Sequence, residues 1–124
     1  MKVTEILQVL SDSTRLRMLR LLSLAEVSVA ELQEILEMGQ SRISSHLSLL
    51  RRYEMVADRK DGKKTFYALH LGDSKQFELV RLALEVDSDE EFWETDQSAL
   101  QRIIEQRRRA SEQYFDEVAG RLGK

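Results

Sequence analysis

Apolar side chains recur every three or four positions along most of this chain, and one stretch near its middle follows a different rhythm. Val3, Ile6, Leu7 and Leu10 predict a first helix over residues 2–10. Asp12 suits the N-cap of a second, Thr14 to Leu24, with Leu16, Leu19 and Leu22 toward a core. Ser28-Val-Ala-Glu31 spells a capping box ahead of Leu32, Ile35 and Leu36, which predicts a third helix. Glu37-Met-Gly39 breaks the pattern, and a fourth helix begins at Gln40. At about 100° per residue, Ile43, Leu47 and Leu50 share one narrow face. Ser41, Ser45, Ser48 and Arg52 lie opposite, with Arg42 close by and Gln40 and Ser44 on the flank. An ordinary surface helix has this pattern, and so does a helix that enters a DNA major groove, where short polar groups allow close approach and Arg or Gln reach base edges.

The next stretch of chain favours the second reading. Met55 to Leu69 has strand character around Asp61-Gly62, a strong hairpin signal. With Asp61-Gly62 as a two-residue loop, Lys60 faces Lys63, Arg59 faces Lys64, Asp58 faces Thr65 and Val56 faces Tyr67. Like charges would then oppose each other near the tip, an arrangement that makes sense beside phosphates. A helix-turn-helix followed directly by a basic hairpin is the layout of a winged helix. Beyond it, Lys75 to Val86 predicts a helix, Asp87 to Asp96 an acidic connector carrying Phe92 and Trp93, and Gln97 to Leu122 one long amphipathic helix with its seam interrupted at Arg107-Arg-Arg109.

A chain of 124 residues fits one compact domain with an added helical arm. Its formal charge is −3, yet the charge is unevenly spread. Between Gln40 and Lys64 seven basic side chains accompany three acidic ones, whereas from Asp73 to Asp96 nine acidic ones accompany two basic. There is no cysteine, hence no disulfide framework and no thiolate metal site. No membrane segment or secretory signal stands out, and a cytoplasmic location is expected. No nucleophile–base pair, converging metal ligands or phosphate-cradling loop is present, so neither catalysis nor a cofactor is expected. His46, on the edge of the buried face of the fourth helix, suits packing or a phosphate contact. His70 suits a solvent-side strand position, and neither histidine has a second ligand at metal-binding spacing.

Four stretches carry a family resemblance: Leu10-Ser-Asp-Ser-Thr-Arg-Leu-Arg-Met-Leu, Val29-Ala-Glu-Leu, Gln40-Ser-Arg-Ile-Ser-Ser-His-Leu-Ser-Leu-Leu-Arg and Asp61-Gly-Lys-Lys-Thr-Phe-Tyr-Ala-Leu. In this order and spacing the chain resembles the ArsR/SmtB family of bacterial winged-helix repressors over residues 2 to about 70. The resemblance implies a mainly α fold with a small β-hairpin: a winged helix-turn-helix over 1–72 and a C-terminal helical extension over 73–124. It implies a homodimeric repressor on double-stranded, palindromic operator DNA. Gln40, Ser41, Arg42, Ser44, Ser45, His46 and Arg52 would contact DNA from the recognition helix, and Arg59, Lys60, Lys63 and Lys64 from the wing. In the family the first and last helices pair across the dimer, which here points to Val3, Ile6, Leu7, Leu10, Leu100, Ile103, Ile104 and Phe115. Otherwise these would leave long apolar stripes exposed.

The departures matter too. Where soft-metal sensors of the family carry cysteines, this chain has Ser28 and Ala30. Where others bind zinc on the last helix, no histidine occurs after His70. No metal site is therefore expected, and the effector is unknown. Glu54 stands where the family usually has Gly, and Gly39 where a Ser cap is common. Arg107-Arg-Arg-Ala-Ser-Glu-Gln-Tyr-Phe-Asp-Glu-Val-Ala also resembles the linker of fusions between an ArsR-type domain and an S-adenosylmethionine-dependent methyltransferase. Two alternatives thus accompany the repressor reading: the regulatory domain of such an enzyme, and a winged helix used only for protein contacts.

Overall fold

The computed structural model describes residues 2–86 and 91–122. Its elements run α1 (Val3–Leu10), α2 (Ser13–Leu24), β1 (Val27–Ser28), α3 (Val29–Leu36), α4 (Gln40–Arg52), β2 (Val56–Asp61), β3 (Lys64–Leu69), α5 (Lys75–Glu85) and α6 (Trp93–Leu122). The helix caps follow the expected side chains. Asp12 Oδ1 accepts from the Arg15 N–H at 3.0 Å to open α2. Ser28 Oγ accepts from the Glu31 N–H at 3.2 Å while Glu31 accepts from the Ser28 N–H at 2.9 Å, completing the capping box of α3.

Met18, Leu19, Leu21, Leu32, Ile43, Leu47, Leu50 and Met55 form the centre of the core. Phe77 and Val80 of α5 and Leu100 and Ile103 of α6 join the same buried cluster. The cluster therefore runs across the expected boundary at residue 72, and α5 and the first half of α6 share one core with the helix-turn-helix. α5 packs on α1 and α2, and α6 on α2 and α3.

The sheet adds a strand that periodicity does not signal. β1 is two residues long and pairs antiparallel with β3, Val27 opposite Tyr67 and Ser28 opposite Phe66, giving the order β1-β3-β2. Two residues are too few to alternate visibly, and Ser28 both ends the strand and caps α3.

The wing register differs from the expected one by two residues. Asp61 faces Lys64, Lys60 faces Thr65, Arg59 faces Phe66, Asp58 faces Tyr67 and Val56 faces Leu69. The loop is Gly62-Lys63, not Asp61-Gly62. Gly62 takes the left-handed φ of 64° and Lys63 has none, the arrangement of a turn with glycine at its first central position. An Asp61-Gly62 loop would have placed Asp61 in that region as well, which costs a residue with a Cβ about 1–2 kcal/mol. The slip of two keeps every side chain on its expected face. It removes the like-charge oppositions and sets an acid–base pair, Asp61 and Lys64, at the tip.

Among the described residues, two other positions carry left-handed backbone, Glu37 at φ 54° and Glu54 at φ 59°. Gly39 does not: it is the N-cap of α4 at φ −71°. The acidic connector is likewise shorter than expected. Residues 87–90 lie outside the described residues, and α6 already begins at Trp93. Asp96 is buried in its first turn.

Candidate nucleic-acid interface

α4 presents its two faces as its sequence dictates. Ile43, Leu47 and Leu50 are buried, whereas Gln40, Ser41, Arg42, Ser45, Ser48 and Arg52 are exposed and Ser44 is half-buried. Gln40 donates through Nε2 to Ser44 Oγ at 3.0 Å, which fixes the flank of the helix start. The exposed side therefore offers hydroxyls, an amide and two guanidinium groups on a rigid, core-anchored rod.

His46 is half-buried and turned toward α2 rather than outward. Arg15 Nη1 lies 3.5 Å from its Nδ1. An arginine can only donate, so Nδ1 accepts and the ring proton sits on Nε2. Burial pushes the imidazole pKa below its usual value; Arg15 and Arg42 act in the same direction and Asp12 against it. Arg15 itself is spread over the end of α1, donating to the carbonyls of Val9 at 2.7 Å and Gln8 at 3.1 Å. His46 thus ties α4 to the α1–α2 junction.

The wing tip is exposed and basic. Lys60, Lys63 and Lys64 all face solvent. Arg59 stands apart from them: it forms a two-point pair with Glu26 at 2.9 and 2.8 Å, and its guanidinium carbon lies 5.1 Å from the centre of the Phe66 ring. Arg59 is thus paired within the protein while still exposed, whereas the three lysines face solvent. Arg51, a position that periodicity alone does not single out, joins the two candidate DNA-facing elements. Its Nε lies 3.2 Å from Asp58 Oδ1 on β2. Asp58, which dilutes the charge of the basic window in sequence, is spent on that link.

The expected dimer surface is only partly present. Ile6, Leu10, Leu100 and Ile103 are buried in the chain's own core, so they leave no exposed stripe. The physical reason is that α5 covers the inner side of α1, and α2 and α3 cover that of α6. Val3 at 58%, Leu7 at 50%, Ile104 at 36% and Phe115 at 67% remain exposed. Beyond Arg107, α6 stands largely clear of the body, and Tyr114 meets Phe115 edge-on at 5.8 Å.

Among the described residues no group of three or more His, Cys, Asp or Glu side chains could hold a metal. No helix among them is long and apolar enough to cross a membrane.

Residues 12–58, from the cap of α2 to the start of the wing, match the model of the bacterial regulatory proteins of the arsR family. The arsenical resistance operon repressor of Staphylococcus aureus is 41% identical over 69 residues, 56% of this chain and 66% of the repressor. The aligned part spans 56–66% of the first curated relatives, which include a transcriptional activator, HlyU of Vibrio cholerae. The structure of HlyU from Vibrio cholerae N16961 superposes with a TM-score of 0.55 at 34% identity, covering 64% of this chain and 84% of HlyU. The transcriptional repressor BigR from Xylella fastidiosa gives 0.54 at 32% identity, with 69% and 89% covered. The winged helix-turn-helix and these matches agree, and the chain belongs to the arsR family of bacterial transcriptional regulators.

Proposed function

We propose that this chain binds double-stranded DNA sequence-specifically as a homodimer and represses transcription from a palindromic operator. The observation that carries the reading is the pairing of a core-anchored helix, whose outward face is Ser41, Arg42, Ser45, Ser48 and Arg52, with a lysine-tipped hairpin braced to it through Arg51 and Asp58. In this reading α4 lies in the major groove. Arg42 and Gln40 reach base edges, while the hydroxyls of Ser41, Ser44 and Ser45 and the Arg52 guanidinium fix its depth. Lys60, Lys63 and Lys64 meet the phosphate backbone, where they contribute affinity without discrimination.

Two copies joined through Val3 and Leu7 on α1 and through the exposed part of α6 would present two such helices to successive grooves, about one helical turn apart. The chemistry is recognition, with no catalytic step assigned to these residues. Sensing of arsenite or cadmium through thiolates is not part of the proposal, because the chain has no cysteine.

Selection of bound duplexes from a random pool tests the reading. Recovery of a two-fold-related motif is the expected result. Retention of duplexes with no shared motif would remove specific readout.

A further inference from the structure

The basic run Arg107-Arg-Arg109 does more than interrupt an apolar seam. Arg108 and Arg109 pair along their own helix, with Glu105 and, for Arg108, also Glu112. Arg107 turns inward and leaves α6 altogether. Its Nε donates to Glu31 Oε2 at 2.8 Å and its Nη2 to Glu31 Oε1, while Nη2 also donates to the Glu26 carbonyl at 2.9 Å. Its guanidinium carbon lies 5.4 Å from the centre of the Phe66 ring on β3. Phe66 is also the ring on which Arg59 rests, and Arg59 is held by the Glu26 carboxylate.

One aromatic ring of the wing is therefore framed by two arginines, each anchored to an acid beside β1 or at the start of α3. Every part of this frame has a fixed base. Glu31 is locked by the capping box of α3. α6 is pinned by buried Leu100 and Ile103 and by the ion pair between Arg17 and Asp96. Phe66 faces Arg59 across the β2–β3 ladder and Ser28 across the β1–β3 ladder. By contrast, the hairpin beyond Phe66 is held by its own ladder and by an exposed ion pair between Arg59 and Asp61 at 3.8 Å.

We infer that Arg107 is a positioning residue for DNA binding: from a helix outside the helix-turn-helix, it sets the attitude of the wing and hence the reach of Lys60, Lys63 and Lys64 to phosphate. The guanidinium plane suits the role, because it grips a carboxylate at two points and lies over an aromatic face at once, and a lysine cannot do both. The inference rests on the docking proposed for the wing. It adds that the wing's hold on phosphate answers to the position of α6, so a shift of α6 reaches the wing through this side chain.

The test is a set of salt titrations on one duplex with the full chain, Lys60→Ala/Lys63→Ala/Lys64→Ala, Arg107→Ala, and all four changes together. Removing one lysine–phosphate interaction lowers the slope of log affinity against log salt by about 0.9 per protomer. The expected result is that Arg107→Ala flattens the slope by about that amount, and adds nothing once the three lysines are gone. Non-additivity of this kind marks action through the same groups, which a general fall in stability would not produce. Phe66→Leu, which keeps apolar bulk and removes the ring, is expected to flatten the slope in the same way. Arg107→Lys should give an intermediate slope.

A full wild-type slope in both Arg107→Ala and Phe66→Leu would overturn the inference, as would effects that simply add. If the lysine variant itself keeps the wild-type slope, the docking of the wing fails first and this inference falls with it.

Discussion

Arg17 on α2 and Asp96 in the first turn of α6 form a two-point ion pair, Nε to Oδ2 and Nη2 to Oδ1, each at 2.9 Å. Their side chains are only 11% and 3% exposed, and the Phe92 ring lies 4.2 Å from the Arg17 guanidinium carbon. Removing Arg17 takes both guanidinium donors from the desolvated Asp96 carboxylate, and breaking a buried pair in this way costs about 3–5 kcal/mol. Arg17→Ala should therefore lower the unfolding free energy by about 3 kcal/mol in a denaturant titration. A fall of less than about 1 kcal/mol, the range of an exposed pair, would show that this pair contributes little to holding α6.

Glu54 makes the opposite prediction. It occupies left-handed backbone at φ 59° between the end of α4 and the start of β2, where its side chain is exposed. Glycine at this position gives up the Cβ penalty, set against its larger unfolded-state entropy. Glu54→Gly is expected to stabilise the protein by up to about 1 kcal/mol, read as a raised melting temperature. A lowered one would show that the Glu54 side chain holds the turn.

Acid should loosen the frame around α3. Burial alone would raise the Glu31 carboxyl, but the hydrogen bonds from Arg107 and the Ser28 N–H outweigh it and hold its pKa below the ordinary 4.5. Asp12 behaves alike: burial raises it, while the Arg15 N–H and guanidinium together bring it below 3.8. A carboxyl depressed in the folded state contributes stability above its unfolded pKa and loses it as pH falls through the folded one. Stability should thus drop as the pH falls below about 4.5. Glu31→Gln should be less stable at neutral pH and flatter across that acidic window. A variant profile parallel to the wild type would remove Glu31 from the account.

The exposed apolar positions on α1 and α6 carry the proposed dimer. Leu7→Glu is expected to shift the sedimenting species from dimer toward monomer at micromolar concentration, because a charge in a buried interface loses its hydration without gaining a partner. Phe115→Ser tests the far part of α6 in the same way. A wild-type chain that sediments as a monomer at every concentration would end the palindromic reading.

Most of the fold is legible in the sequence because helix periodicity and caps are local signals. Asp12, the Ser28–Glu31 box and the start of α4 at Gln40 are all readable from a few adjacent residues. The faces of α4 follow from spacing alone. The illegible part depends on partners far apart in the chain. Arg107 and Glu31 are 76 residues apart and Arg17 and Asp96 79, and nothing in either neighbourhood announces the other. For the same reason Arg59 reads as a phosphate ligand in sequence, since Glu26 and Phe66 become its neighbours only when β1 and β3 come together. Ile6, Leu10, Leu100 and Ile103 do form buried faces, but a periodic stripe does not say whether its cover comes from the same chain or from a second copy. The wing register turns on whether Asp61 joins Gly62 in left-handed backbone, and Gly62 serves either loop until the ladder fixes it.

The claim at the centre of this account is a division of labour, with α4 reading sequence and the wing holding the backbone. It is tested most directly by the ratio of affinities for a selected duplex and a random one, measured across salt for the wild type, Arg42→Ala and Lys63→Ala/Lys64→Ala. The expected result is that Arg42→Ala shrinks the ratio by about 1–3 kcal/mol in free energy with little change in slope. The lysine variant should keep the ratio and flatten the slope. Equal effects of the two variants on both quantities, or no effect of either, would contradict the assignment of these surfaces.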